Sequence, residues 1–137
     1  MEDIQNAYRI VGGELVEFEI QPEGLGAFSH GASIDYDVSI EVVLSKEDKI
    51  LHYRTTIDMR KKGEAKTLAT AKSVVIFFVH ELEKHVEIKE PDRFAVSPDM
   101  NLSIGRVSIG FARGLVNARL KQDGISNVIL PMLPFEY

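Results

Sequence analysis

The chain contains no cysteine, which excludes a disulfide framework and any thiolate metal site. It also lacks an excess of basic residues. Sixteen Lys and Arg against 21 Asp and Glu give a formal charge of −5, and a phosphate backbone needs a basic surface, so no nucleic-acid partner is expected. The opening Met1-Glu2-Asp3 is acidic where a secretory leader is basic. No apolar run approaches the roughly 20 residues of a membrane span. Neither export nor membrane insertion is expected, and the cytoplasm is the expected compartment. There is no phosphate loop, dinucleotide fingerprint or nucleophile paired with a base. The expectation is a protein without catalysis and without a cofactor.

What is present fits one globular domain over 1–137, long enough to bury a real core. The most informative stretch is 102–122, LSIGRVSIGFARGLVNARLKQ, followed by the apolar tail 125–137. Ile104, Val107, Phe111, Leu115 and Ala118 recur at helical spacing, and Ile109, Ala112, Val116 and Leu120 form a second row beside them. The rows fuse into an apolar sector roughly 200° wide, against the ~100° of an ordinary surface helix. Ser103, Arg106, Gly110, Arg113, Gly114, Asn117 and Lys121 are left as a narrow polar face. A helix of this kind needs cover on two sides, and a partner subunit is the expected source of the second.

Upstream, Tyr8, Ile10, Val16, Phe18 and Ile20 share one parity around Gly12-Gly13, which predicts a strand broken or bulged at the glycines. Residues 21–31, rich in Gly with Pro22, read as a loop. The alternation of Ile34, Tyr36, Val38, Ile40, Val42 and Leu44 with Asp35, Asp37, Ser39 and Glu41 predicts a half-buried strand. Leu51, Tyr53, Thr55, Ile57 and Met59 predict a second, paired with the first as a hairpin. The outward faces are acidic on one strand and basic on the other, which favours cross-strand pairing. The β-branched and aromatic run 74–79 also suits a helix, but such side chains pack better on a sheet. It reads as a strand buried on both faces. Residues 80–96 read as a strand end and a charged linker. Ser97-Pro98-Asp99 marks a helix start and Gly124 its end, while Pro131 and Pro134 keep the tail extended.

The fold class is therefore α+β, a four-stranded antiparallel sheet followed by one long C-terminal helix. Four strands at ~4.8 Å spacing make a sheet roughly 19 Å wide, and one helix is about 10–12 Å across. One helix cannot cover even one face, so association with further copies is expected.

Local motifs offer little chemistry. Arg9-Ile10-Val11-Gly12-Gly13 looks like the activation site of trypsin-like proteases, but the chain is too short for that double barrel and lacks its serine motif. His80-Glu81-Leu82-Glu83-Lys84-His85 has one residue more than the zinc motif H-E-x-x-H, which sets its histidines about 140° apart on a helix. Zinc needs convergent ligands, and only His30 and His52 remain to supply a third, so no metal site is expected. Asp35, Asp37 and Glu41 line up along one strand rather than facing each other across a cleft, as on a solvated, salt-bridged face. Gly110 and Gly114 form G-x-x-x-G, a spacing that lets another backbone approach.

The C-terminal third resembles the SecB-like export chaperones, especially small divergent members. The residues that carry the likeness are Ser108-Ile109-Gly110-Phe111-Ala112-Arg113-Gly114-Leu115, then Asn127-Val128-Ile129-Leu130-Pro131-Met132-Leu133-Pro134. Ala112, Arg113, Leu130 and Pro131 match the family's Ala-Arg-rich helix and its Leu-Pro segment, all with structural roles. The resemblance implies a four-stranded antiparallel sheet, dimers assembling into a dimer of dimers, and apolar grooves that hold non-native polypeptides. Such a protein needs exposed apolar area with a charged surround. Phe77, Phe78, Met132, Leu133, Phe135 and Tyr137 are the candidate polypeptide-binding residues, with core or subunit interface as the competing role for each. The export chaperone proper continues into a Cys/His zinc-binding tail that engages the translocation motor, and no cysteine is present here. The expected function is a SecB-like holdase, with an adaptor for one dedicated protein partner as the alternative.

Overall fold

The computed structural model of the chain describes residues 4–29, 33–90 and 93–125. Strands β1 (Tyr8–Ile20), β2 (Ile34–Ser45), β3 (Ile50–Lys61) and β4 (Thr67–Val79) form an antiparallel sheet in the order β1-β4-β3-β2. Helix α1 (Pro22–Ser29) lies in sequence between β1 and β2. A short hairpin of β5 (Val86–Glu90) and β6 (Arg93–Val96) separates β4 from the long helix α2 (Pro98–Gln122).

The hairpin of β2 and β3 follows the predicted alternation. Ile34 stands opposite Lys61 and Ser45 opposite Ile50, so Tyr36, Val38, Ile40, Val42 and Leu44 face Met59, Ile57, Thr55, Tyr53 and Leu51 in turn. The turn closes through Lys49, which adopts φ 58 and donates its N–H to the Lys46 carbonyl at 3.2 Å. Gly63, at φ 82, turns β3 into β4, a conformation glycine reaches without a Cβ penalty.

In β1 the glycines do accompany a bulge, but the extra residue is Val11, and a second bulge at Val16 was not anticipated. Each bulge shifts the sequence parity by one. The inward row is therefore Tyr8, Ile10, Gly13, Leu15, Phe18 and Ile20, while Val16 is 60% exposed. Gly13 sits directly beneath α2: a Cβ there would lie 2.8 Å from the Phe111 ring.

Three expectations are corrected. Residues 21–31 are not a loop throughout, because Pro22–Ser29 is helical. One of the glycines that argued against a helix serves close packing instead, since a Cβ on Gly24 would come within 2.7 Å of the Leu68 carbonyl oxygen. Helix α1 thus seats Phe28, fully buried, against β4. The run 74–79 is not buried on both faces. Val75, Phe77 and Val79 are buried, whereas Val74, Ile76 and Phe78 are only half-buried on the outer face. Finally, 80–96 is more than a linker. Glu81 takes a left-handed turn at φ 51, and the short hairpin follows, tied to the start of α2 by the Ser97 N–H donating to the His85 carbonyl at 2.7 Å.

Helix α2 begins at Pro98, where a missing N–H costs nothing. It ends where Gly124 turns at φ +82 and the Ile125 N–H reaches back to the Leu120 carbonyl at 2.8 Å, a C-terminal cap of the kind glycine permits. Its buried stripe is Met100, Ile104, Gly105, Ser108, Ile109, Ala112, Val116 and Leu120. Val107, Phe111 and Leu115 are only half-buried and Ala118 is exposed, so the second side of the wide apolar sector is open.

The core has two lobes. Phe28, Ile57, Met59, Ala71, Val116 and Leu120 belong to one, and Leu51, Tyr53, Val75, Phe77, Met100 and Ile104 to the other. Between them runs a buried polar belt of Thr55, Ser73 and Ser108. The Ser108 hydroxyl donates to the Ile104 carbonyl at 2.9 Å, but the Thr55 and Ser73 hydroxyls have no hydrogen-bond partner among the described residues. A buried polar group without a partner costs about 1–3 kcal/mol. Thr55→Val and Ser73→Ala are accordingly expected to stabilise the fold by about 1 kcal/mol each, read as a higher denaturant midpoint at an unchanged m-value.

Candidate functional site

The sheet is wider than the helix that covers it, and β2 bears the consequence. Helix α2 lies over β1, β4 and β3. The inward row of β3, Leu51, Tyr53, Thr55, Ile57 and Met59, is buried throughout, whereas that of β2, Ile34, Tyr36, Val38, Ile40, Val42 and Leu44, is only half-buried along its length. Six apolar side chains in a row form the floor of a groove beside α2. Ile34, Tyr36 and Val38 pack on the lobe that holds Phe28; Ile40, Val42 and Leu44 pack on the lobe that holds Phe94 and Val96.

The wall at the N-terminal end of α2 is fixed by directional bonds. The Tyr53 hydroxyl donates to Asn101 Oδ1 at 2.8 Å, and the Tyr8 and Ser103 hydroxyls are hydrogen-bonded at 2.7 Å. Phe77 stands between the two tyrosines, edge-on to both at ring distances of 5.6 and 5.7 Å. Three neighbouring strands thereby grip the first turns of α2. At this end a cavity of about 540 Å³ opens, lined by Val42, Arg93, Phe94, Ala95, Val96 and Asn101.

Of the residues named from sequence, Phe77 is fully buried and belongs to the core rather than to a binding surface. Phe78 lies on the outer face of the sheet, half-buried, with the Arg9 guanidinium 5.1 Å above its ring and His80 edge-on at 5.0 Å. The structure therefore does not bring Phe77 and Phe78 together on one surface. Met132, Leu133, Phe135 and Tyr137 lie outside the described residues, as do Leu130 and Pro131. Ala112 is buried in the core from α2 and Arg113 is half-buried.

The groove residues Tyr36, Val38, Val42, Phe94 and Asn101 went unnamed from sequence. The β2 row carried a signal, because its alternation was clear and the width of the sheet left one strand without cover. Phe94 and Asn101 had none, since their roles depend on the hairpin and on the partner of Tyr53.

Two outer carboxylates, Asp37 and Glu17, are held in ion pairs along the sheet. Asp37 reaches diagonally to Arg60 at 2.7 Å and Glu17 to Lys72 at 3.4 Å, while the Thr70 hydroxyl donates to Asp58 at 2.8 Å. His80 and His85 flank the turn Leu82–Lys84 rather than sharing one helix, and no cluster of three metal-ligating side chains occurs among the described residues. None of the described helices is long and apolar enough to cross a membrane.

A four-stranded antiparallel sheet with one long C-terminal helix over it is a SecB-like fold. Among solved structures, the chain is similar to the Mycobacterium tuberculosis SecB-like chaperone Rv1957, in complex with a ChAD peptide from the Rv1956 HigA1 antitoxin. The TM-score is 0.59 at 12% sequence identity, over 96% of this chain and 91% of that one. No family model matches the chain, and no curated protein matches it in sequence.

Burial pushes the Tyr53 hydroxyl pKa far above the ordinary tyrosine range, and burial raises that of Tyr36 as well. The fold thus favours the neutral phenol. Its contribution to stability is fully present below about pH 10, where unfolded tyrosine keeps its proton, and is lost as the pH rises beyond. Stability is expected to fall above pH 10. Tyr53→Phe should flatten that fall while costing about 1 kcal/mol at neutral pH for the lost hydrogen bond, both read by denaturant titration at several pH values.

Proposed function

We propose that the chain is a single-domain, SecB-like binding protein that holds non-native polypeptide in the groove over β2 and catalyses no reaction. The observation that carries the reading is the half-buried apolar row of β2, a preformed strip beside a rigid helix. Exposed apolar area in a charged surround is what a holdase requires, and the outer face and rims of this chain supply the charge. The similar fold of Rv1957 holds a peptide, which supports polypeptide as the ligand class. That peptide comes from one named protein, which favours, as a second reading, an adaptor for a single dedicated client. The cytoplasm is the proposed compartment. Met132, Leu133, Phe135 and Tyr137 are retained as proposed contributors to the grip, and Phe78 as a contributor on the outer face.

The test is suppression of aggregation of a thermally unfolding client. Wild-type protein should suppress it, and Val38→Glu should weaken client affinity about tenfold, because a carboxylate would have to be desolvated beneath the client. Ser39→Glu, on the opposite face, should leave suppression unchanged. No suppression by the wild type of any of several unrelated clients, with capture of one specific protein, would decide for the adaptor.

Self-association belongs to the same reading. The open flank of α2, Val107, Phe111 and Leu115, together with Ile10 and Val11 of β1, 48% and 46% exposed, is the proposed contact, forming a dimer or a dimer of dimers. Light scattering should give a multiple of 15.3 kDa for the wild type and the single-chain mass for Leu115→Glu at unchanged helical content. Each such side chain contributes about 1.5–3 kcal/mol when covered.

A further inference from the structure

The 540 Å³ cavity at the N-terminal end of α2 has one unusual wall. Arg93, Phe94, Ala95 and Val96, the whole of β6, line it. Successive side chains of a strand point to opposite sides, so four consecutive lining residues mean that the edge of β6 borders the cavity. That strand pairs with β5 on its other edge, and with no other strand among the described residues. A free strand edge is a template for another strand. Here it opens onto a space of mixed lining, with Val42 and Phe94 as apolar walls and Arg93 and Asn101 as polar ones.

Two polar groups give the space a direction. Asn101 Oδ1 accepts the Tyr53 hydroxyl at 2.8 Å, which leaves the amide NH₂ of this cavity-lining residue as a donor. Arg93 is the one charged residue among the described residues that line the cavity, is exposed, and forms no ion pair with a described residue. Asn101 also lies in the first turn of α2, where the helix dipole favours negative charge.

We propose that this cavity takes an extended polypeptide segment as a third strand on the open edge of β6, with an apolar side chain over Val42 and an acidic side chain against Arg93. The proposal rests on the groove reading above and narrows it to one end of the groove and one client chemistry. Main-chain bonds to β6 and a carbonyl taken by Asn101 give affinity that tolerates sequence. The guanidinium fork of Arg93 suits a carboxylate and adds the selectivity. Four residues of β6 span about 13 Å, enough to pair three or four residues of the client.

The test is fluorescence anisotropy of short labelled peptides of alternating Val and Thr with one central Glu, added to the full chain. Replacing that Glu by Gln should weaken binding about fivefold, the scale of an exposed ion pair. Arg93→Gln should bind the two peptides alike at an unchanged melting temperature. N-methylation of the peptide amides should abolish binding at alternate positions and be tolerated at those between, the signature of strand pairing. If N-methylation is tolerated everywhere and the Glu and Gln peptides bind equally, while wild-type protein still suppresses aggregation, the strand proposal fails and the groove reading stands. If no peptide binds and aggregation is not suppressed, both fail. If no peptide binds and Arg93→Gln instead dissociates an oligomer, a second copy holds the edge, and the proposal is overturned.

Discussion

One helix laid on a sheet of four strands is the constraint from which the rest of this molecule follows. A helix is about 10–12 Å across and the sheet roughly 19 Å. Something must stay uncovered, and where α2 sits decides what. It crosses β1, β4 and β3, pressing Phe111 onto Gly13 at one side and Ile104 and Met100 into the lobe around Phe77. The strand left over is β2. Its inward residues are no more polar than those of β3, yet they are half-buried where those of β3 are sealed. The groove is thus set by placement of the helix rather than by any special composition of its floor.

The charges of the sheet sit on the opposite side and serve a separate purpose. Arg60, Lys72 and Thr70, on the two central strands, are partnered by Asp37, Glu17 and Asp58. Exposed pairs of this kind contribute little each. They keep the outer face wetted, while one end of it, with Ile76 and Phe78, remains apolar under Arg9.

Much of this architecture was legible in the residues. The β2 and β3 hairpin was plain because both strands alternate without interruption and each buries one face. Helix α2 was plain because Pro98 and Gly124 bracket a periodic run, and the openness of its Val107, Phe111 and Leu115 flank matches the width of its apolar sector. Strand β1 was half legible: two bulges shift the parity and then restore it, so Tyr8, Ile10, Phe18 and Ile20 were read correctly while Leu15 was missed and Val16 misplaced. The β5 and β6 hairpin was hidden by its brevity and charge, and α1 by its glycines, of which Gly24 enables close packing rather than a turn. At the site, the floor was implied by alternation and arithmetic. For Phe77 the competing role, core, is the one the structure gives, because an unbroken apolar run does not declare which of its members face inward. The pairing of Tyr53 with Asn101, 48 residues apart, leaves no trace in either neighbourhood.

The two ends of α2 are fastened by different means. Near Asn101 and Ser103 two phenols hold it through bonds that have a length and an angle. Near Val116 and Leu120 it rests on Phe28, Ile57 and Met59 through non-directional apolar packing. Between them lies the buried polar belt of Thr55, Ser73 and Ser108. The strip along β2 is therefore flanked at one end by a wall that both length and angle define, and at the other by one that shape alone defines.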